Sequence, residues 1–314
     1  MALGTNHVTT TTADKFIPDV WSDEIVATYK KNLVAANLIK KMSFRGKKGD
    51  TVHIPVPTRG SASAKTASNQ VTLIAATESE VTISINKHYE YSRLIEDIVE
   101  AQALSSLRQF YTQDAGYALA KQVDSSIIQL GRGVNGATIG TNDYATSAST
   151  TKAFIGSDGT TAYNSSTSNA AALTDAAIRR TMQRLDDQDV PMDGRYFIIP
   201  PSSRNTLMGL SRYTEQAFVG ESGSGNTIRN GEVGNLYGTS VFVTSNADYG
   251  AGNSGADRIC LLGHKDAFVL VEQQGVRAQT QYKQEYLGTL FTADTLYGVG
   301  ELRDYGAVAL AVPA

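Results

Sequence analysis

The sequence is short of the residues from which disulfides, metal sites and most active sites are built. Its 314 residues include one cysteine, Cys260, and four histidines, His7, His53, His88 and His264. A lone cysteine excludes an intrachain disulfide and any site of paired thiolates. Set in the apolar run Ile259-Cys260-Leu261-Leu262, it reads as a small buried hydrophobe. The histidines lie far apart, none with a His, Cys or carboxylate at ligand spacing, so each is read as structural. No apolar run approaches a membrane span, and Met1-Ala2-Leu3-Gly4-Thr5 lacks the basic and apolar blocks of a signal peptide. A soluble protein made in a reducing cytoplasm is expected. An excess of one charge is missing too: the formal net charge is −3, which argues against a chain whose main task is to neutralise phosphate.

Catalytic signatures fail on spacing. Gly223-Ser224-Gly225 lacks the third glycine and the strand-to-helix setting of a dinucleotide turn, and no Walker-type Gly-Lys-Ser/Thr occurs. Gly220-Glu221-Ser222-Gly223-Ser224 has serine where a nucleophile elbow needs glycine. Asp186, Asp187, Asp189 and Asp193 miss the spacing of a calcium-binding hand and read as a solvated helix end. The tyrosines are dispersed among strand-like runs, unlike a base-stacking platform. No catalytic residue, metal site or cofactor is expected.

What is present is an order of parts. Residues through Thr12 are small and polar and read as an extended or disordered arm. Ser22-Asp23-Glu24 then caps a helix that Ile25, Tyr29, Leu33, Ala36 and Lys40 carry to about Met42, with Trp21 anchoring its start. Arg45, Lys47 and Lys48 form a basic turn, either solvated or an intersubunit salt bridge. From Thr51 to Ser92 three alternating runs predict a long β-hairpin-like excursion, with Arg59 to Lys65 as a tip without an apolar anchor. An isolated two-stranded arm is marginal in water, so a neighbouring subunit is its natural support.

From Arg93 to Gly133 there is no proline, and Leu104, Leu107, Tyr111, Ala115, Ala118, Val123, Ile127 and Leu130 recur at helical spacing. A spine helix over 93–131 is predicted. Residues 134–169 read as a surface loop or weak strands. Thereafter helix, strand and loop alternate: a helix from Thr174-Asp175 to about Asp187, a buried strand at Arg195–Ile199, a short helix capped by Ser202, a glycine-rich loop at 218–232, and strands to the closing run Ala307–Val312. That alternation indicates a mixed α+β chain with a compact subdomain.

This order resembles the major capsid protein of tailed bacteriophages, the Hong Kong phage-type fold shared with encapsulin shells and the herpesvirus capsid floor. The stretches that carry the likeness are Ile17-Pro18-Asp19-Val20-Trp21-Ser22-Asp23-Glu24, Gly49-Asp50-Thr51-Val52-His53-Ile54-Pro55, Asp189-Val190-Pro191 before Gly194-Arg195-Tyr196-Phe197-Ile198-Ile199, Leu236-Tyr237-Gly238-Thr239-Ser240-Val241-Phe242-Val243-Thr244-Ser245-Asn246, His264-Lys265-Asp266-Ala267 and Tyr297-Gly298. The resemblance implies an N-arm over 1–20, an N-terminal helix and turn over 21–48, and an extended loop over 49–92. It also implies a peripheral domain from 93–173 and 263–306 and an axial domain from 174–262 and 307–314. Trp21, Lys47, Lys48, Arg59, Lys65, Glu221 and Arg229 are the expected intersubunit contacts, with Lys65 where certain relatives form an isopeptide crosslink.

The expected function follows from the resemblance: a non-enzymatic shell protein assembling in the host cytoplasm as hexamers and pentamers into an icosahedral virion capsid around double-stranded DNA. Contact with the DNA on the inner face is expected to be weak, and no membrane is involved. A portal and a decoration or cement protein are expected partners. Only a short arm precedes Trp21, so a separate scaffolding protein is expected too. An encapsulin-like compartment is the alternative within the fold. A soluble hydrolase, needing Ser202, Asp266 or a histidine to converge in a pocket, is the alternative from another class.

Overall fold

The computed structural model describes residues 33–46, 48–57, 60–68, 70–71, 73, 78–98, 107–132, 153–163, 169–210, 234–248 and 257–314. Its centre is a six-stranded sheet built from continuous apolar runs. In sheet order the strands are β5 (Phe154–Ile155), β12 (Ala307–Pro313), β9 (Asp257–His264), β6 (Arg195–Ile199), β8 (Thr239–Val243) and β7 (Asn235–Leu236). Side chains alternate between faces along each strand, and the middle strands β12, β9 and β6 are covered on both faces, which is why their central runs are apolar. One face presents Tyr196, Ile198, Ile259, Leu261, Ala309 and Ala311 to a first core; the other presents Phe197, Ile199, Cys260, Leu262, Val308 and Leu310 to a second.

The second core is closed by α3 (Asp175–Asp186) and α4 (Pro201–Met208), through Ile178, Met182, Leu185 and Leu207. Thr174 caps α3, its hydroxyl accepting the Ala177 N–H at 3.2 Å, as expected for an N-cap threonine. Ser202 does not cap α4: Pro200 holds the cap position and Pro201 starts the helix, where a missing N–H does no harm. The Ser202 hydroxyl donates instead to the Pro313 carbonyl at 3.0 Å.

A four-stranded sheet lies beside it, in the order β1 (Lys40–Ser43), β10 (Phe268–Lys283), β11 (Gly288–Glu301) and β4 (Lys87–Glu96). The helix α2 (Leu107–Ile128) packs across both sheets through Ala115, Leu119, Ile127 and Ile128. At ~1.5 Å per residue it spans about 33 Å.

Three expectations are corrected here. The spine helix does not begin at Arg93, because Arg93–Glu96 is strand, paired with Phe291–Gly288 of β11. The excursion ends sooner than Ser92: only β2 (Thr51–Pro57) and β3 (Glu78–Ser84) pair as a ribbon, and the next run joins the four-stranded sheet. The first helix does not reach Met42. Its described part, α1, covers Ala35–Leu38, and Lys40–Ser43 pairs in parallel with Val269–Glu272, whose backbone groups would otherwise be left unpaired.

Within 134–169, read as a surface loop or weak strands, the described residues 153–163 hold one short strand and are not a surface loop. Ala153, Phe154 and Tyr163 are buried, β5 pairs with β12, and the Tyr163 hydroxyl donates to Asp257 at 2.7 Å. These residues add an edge to the six-stranded sheet.

Candidate assembly interface

The ribbon β2–β3 leaves the body with only its root covered. At the root, Ile83 and Ile85 are buried against Val269 and Val271 of β10, with Val52, Ile54 and Val81 packed around them. One hydrogen bond ties the ribbon's base to the body, the Gln273 amide of β10 donating to the Gly49 carbonyl at 3.0 Å, while the Ile85 N–H, donating to the Asp50 carbonyl at 2.7 Å, extends the ladder between the ribbon's two legs. Beyond the root the side chains face solvent. Val71 is 65% exposed and Leu73 90%, in a tip whose other described residues are small or polar. Cross-strand His53 and Glu80 approach to 3.2 Å, but both are exposed, so the pair contributes little. A two-stranded ribbon with an apolar tip in water is poorly stabilised by itself.

A second uncovered apolar region lies at the far end of the four-stranded sheet, where Leu94, Ile98, Tyr286 and Leu287 are exposed. Leu287 closes the β10–β11 turn with φ +44°, and the Tyr282 hydroxyl holds Asp97 beside it at 2.7 Å. Midway along this sheet β10 bulges between Gln274 and Arg277. The bulge is pinned by Asp294 of β11, whose carboxylate accepts from Arg277 Nε at 3.1 Å, Arg277 Nη2 at 3.0 Å and Gln274 Nε2 at 2.7 Å, with His88 Nε2 at 3.3 Å. The hydrogen bonds from Arg277 lead in holding the Asp294 carboxyl below the usual carboxylate range.

Among the described residues the groups a hydrolase would need are not assembled. Both ring nitrogens of His264 are engaged by backbone: Nε2 with the Asp193 carbonyl at 2.9 Å and Nδ1 with the Asp266 N–H at 3.2 Å. The Ser202 hydroxyl is committed to the Pro313 carbonyl. Cys260 is fully buried against Ser203, and burial pushes its thiol up to about 12, so it is no nucleophile at neutral pH. Among the described residues no three His, Cys, Asp or Glu side chains converge as metal ligands.

Of the contact candidates named from the sequence, Lys48 and Lys65 are exposed, Lys48 after the basic turn and Lys65 on the arm tip. Trp21, Lys47, Arg59, Glu221 and Arg229 lie outside the described residues, as does the loop 218–232. Sequence reasoning missed Asp124, a fully buried carboxylate in α2, and the Glu301–Asp304 pair at the end of β11. Burial first, and then the neighbouring Asp304 carboxylate, hold the Glu301 carboxyl up at about 8. Asp124 left one legible signal, a charge inside an otherwise apolar helical stripe.

A family model described as phage capsid protein matches residues 36–311. The chain belongs to this family. Its role is therefore structural, as a capsid protein of the virion and not an enzyme. Comparison with curated protein sequences found no match. Among solved structures, one of Mycobacterium phage Che8 superposes with a TM-score of 0.73 at 24% identity, covering 94% of this chain and 97% of that one. The capsid of cyanophage P-SCSP1u gives 0.75 at 20% identity, covering 99% and 96%. The capsid of a native GTA particle gives 0.65 at 10% identity, covering 99% and 100%. These likenesses establish the capsid fold over nearly the whole chain and bear out the resemblance drawn from the order of parts.

Proposed function

We propose that this capsid protein is the major shell subunit, assembling as hexamers and pentamers into a closed icosahedral particle around double-stranded DNA. The observation that carries the reading is the β2–β3 arm: its root is packed into the body while Val71 and Leu73 at its tip stay exposed, with no cover among the described residues. A neighbouring copy is the surface that would cover them. In this reading the ribbon is the extended loop, and the four-stranded sheet with α2 is the peripheral domain. The six-stranded sheet with α3 and α4 is the axial domain. Lys48 and Lys65 serve as solvent-side contacts to neighbours. A separate scaffolding protein, a portal and a decoration protein are the further partners, and assembly takes place in the host cytoplasm. A net charge of −3 suits a wall that contacts its DNA weakly.

The test is negative-stain electron microscopy with sedimentation, on the purified protein alone and with its scaffolding protein, alongside the variant V71D/L73D. Wild type is expected to give capsomers or closed particles. The variant is expected to keep its circular dichroism spectrum and lose at least tenfold in assembled mass. A wild type that stays monomeric under every assembly condition would overturn the reading.

A further inference from the structure

We propose that Gly298 and Gly300 of β11 are arm-positioning residues. Together they form a side-chain-free seat that fixes the angle at which the β2–β3 arm leaves the body, and with it the geometry of the shell that the arm joins. The inference rests on the arm being an intersubunit element.

Both glycines sit in mid-strand, where glycine weakens the sheet and a β-branched residue is ordinarily preferred. Neither has positive φ, so their own backbone does not require glycine. Their missing side chains serve a neighbour instead. A Cβ at Gly298 would lie 2.6 Å from the Ser84 carbonyl oxygen and 3.1 Å from the Ile85 Cα. A Cβ at Gly300 would lie 2.8 Å from Cγ1 and 3.1 Å from Cγ2 of Ile83. The arm therefore crosses β11 closer than any other residue pair would allow.

The seat is also walled. Residues two apart share a strand face, and the run Leu296, Gly298, Gly300, Leu302 places a leucine at each end of the notch, both packed on the cluster that contains Ile83. Val269 and Val271, the cross-strand partners of Gly300 and Gly298, are fully buried and close one side. Ile83 fills the notch with 2% of its surface exposed. Past the seat the packing thins, with Ile54 and Val81 only half-buried against the same cluster. The same inner face of the arm, at Ile54 and Val81, overhangs a cleft of about 770 Å³ whose far wall includes Val190, Leu302 and Tyr305. Over this cleft the ribbon has less beneath it than at the seat, so the seat carries much of its elevation.

The arm works as a lever on this seat. A methyl at Gly300 needs a lift of about 1 Å to reach ordinary contact, over a base of two residues or about 6.6 Å at ~3.3 Å per residue. That is a tilt of roughly 9°, which displaces the far end of a seven-residue ribbon by about 3–4 Å and the tip by more. Contacts with a neighbour do not survive a shift of that size.

The experiment compares wild type, G298A, G300A and G300A/I83A. Spin labels at S79C and Q188C, one on each wall of the cleft, read the arm's elevation in dilute protein, and Cys260 is buried and takes no label. Electron microscopy of assembly reactions reads the particle. G300A and G298A are expected to lengthen the label distance by about 2–4 Å and to lower the yield of wild-type-sized particles at least tenfold, with thermal melts confirming a folded body. I83A is expected to restore both readouts to G300A, because the obstructing atoms belong to a side chain. No side-chain trimming is expected to restore G298A, whose obstruction is backbone. Should G300A fail to fold, recovery of both the wild-type distance and particle in G300A/I83A still supports the seat, and a double variant with neither overturns it. Alanine variants with unchanged distance and unchanged particles overturn it as well, while wild type still forms shells. Absence of wild-type particles overturns instead the intersubunit reading on which the seat depends.

Discussion

Asp124 should hold the junction of three elements, and its removal can be worked through in numbers. The side chain is fully buried in α2. One carboxylate oxygen accepts the Ala35 N–H at 2.7 Å, an orphan donor at the start of α1 that no local side chain caps. The other accepts from the Asn246 side-chain amide at 2.9 Å, beyond the end of β8. Alanine at 124 leaves both donors without an acceptor, each costing about 1–3 kcal/mol. Relief of the buried charge offsets part of that, so the net loss is about 3–4 kcal/mol. Unfolding entropy near 2.1 cal/mol/K per residue makes each kcal/mol worth about 1.5 °C in a chain of this length, so D124A should melt about 5 °C below wild type. D124N keeps one acceptor and should lose about half as much. Circular dichroism melting of dilute, unassembled protein at neutral pH is the assay. A D124A melt within 1 °C of wild type, or D124N falling below D124A, would refute the reasoning.

Two further sites give predictions of opposite sign. A Cβ at Gly263 of β9 would meet the Tyr196 hydroxyl at 2.9 Å and its Cζ at 3.0 Å, and the buried ring has no room to retreat; G263A should therefore cost about 1–3 kcal/mol, read by urea unfolding. That hydroxyl is buried with no hydrogen-bond partner among the described residues, so Y196F should be neutral or up to about 1 kcal/mol stabilising, and should soften the G263A penalty. At Glu301 the folded carboxyl titrates at about 8, above its ordinary value of 4.5, so the native state holds the extra proton between those values. Stability is then full below about pH 4.5 and falls by on the order of 1 kcal/mol per unit as pH rises towards 8. E301Q should flatten that part of the profile, and an unchanged slope would remove Glu301 as its source.

The middle strands of the six-stranded sheet are legible because burial on both faces writes them as unbroken apolar runs at 196–199, 259–262 and 307–312. The start of the spine helix was misread because Leu94, Ile95 and Ile98 fit a helical stripe as well as a strand. The deciding alternation lies upstream, where Lys87, Tyr89 and Tyr91 turn inward on β4. Lys40–Ser43 reads as the tail of a helix and becomes an edge strand only because β10 offers it a parallel partner. The arm was visible as a ribbon without a core. Its seat was not, since nothing local distinguishes Gly298 and Gly300 from tolerated strand glycines until Ile83 and Ser84, distant in sequence, are laid upon them.

The distribution of burial also separates folding from assembly. Each subunit closes its own central sheet on both faces, so the forces that fold the body are spent within one chain. The arm departs from that pattern. It is tied at Gly49 by Gln273, seated on bare backbone, and then carries Val71 and Leu73 into water. A chain that buried those residues against its own cleft would gain stability as a monomer and lose the surface it needs for a neighbour. On the proposed reading, an open cleft and a narrow seat leave the arm positioned but unsatisfied, so that the free energy of covering it is left for a second subunit.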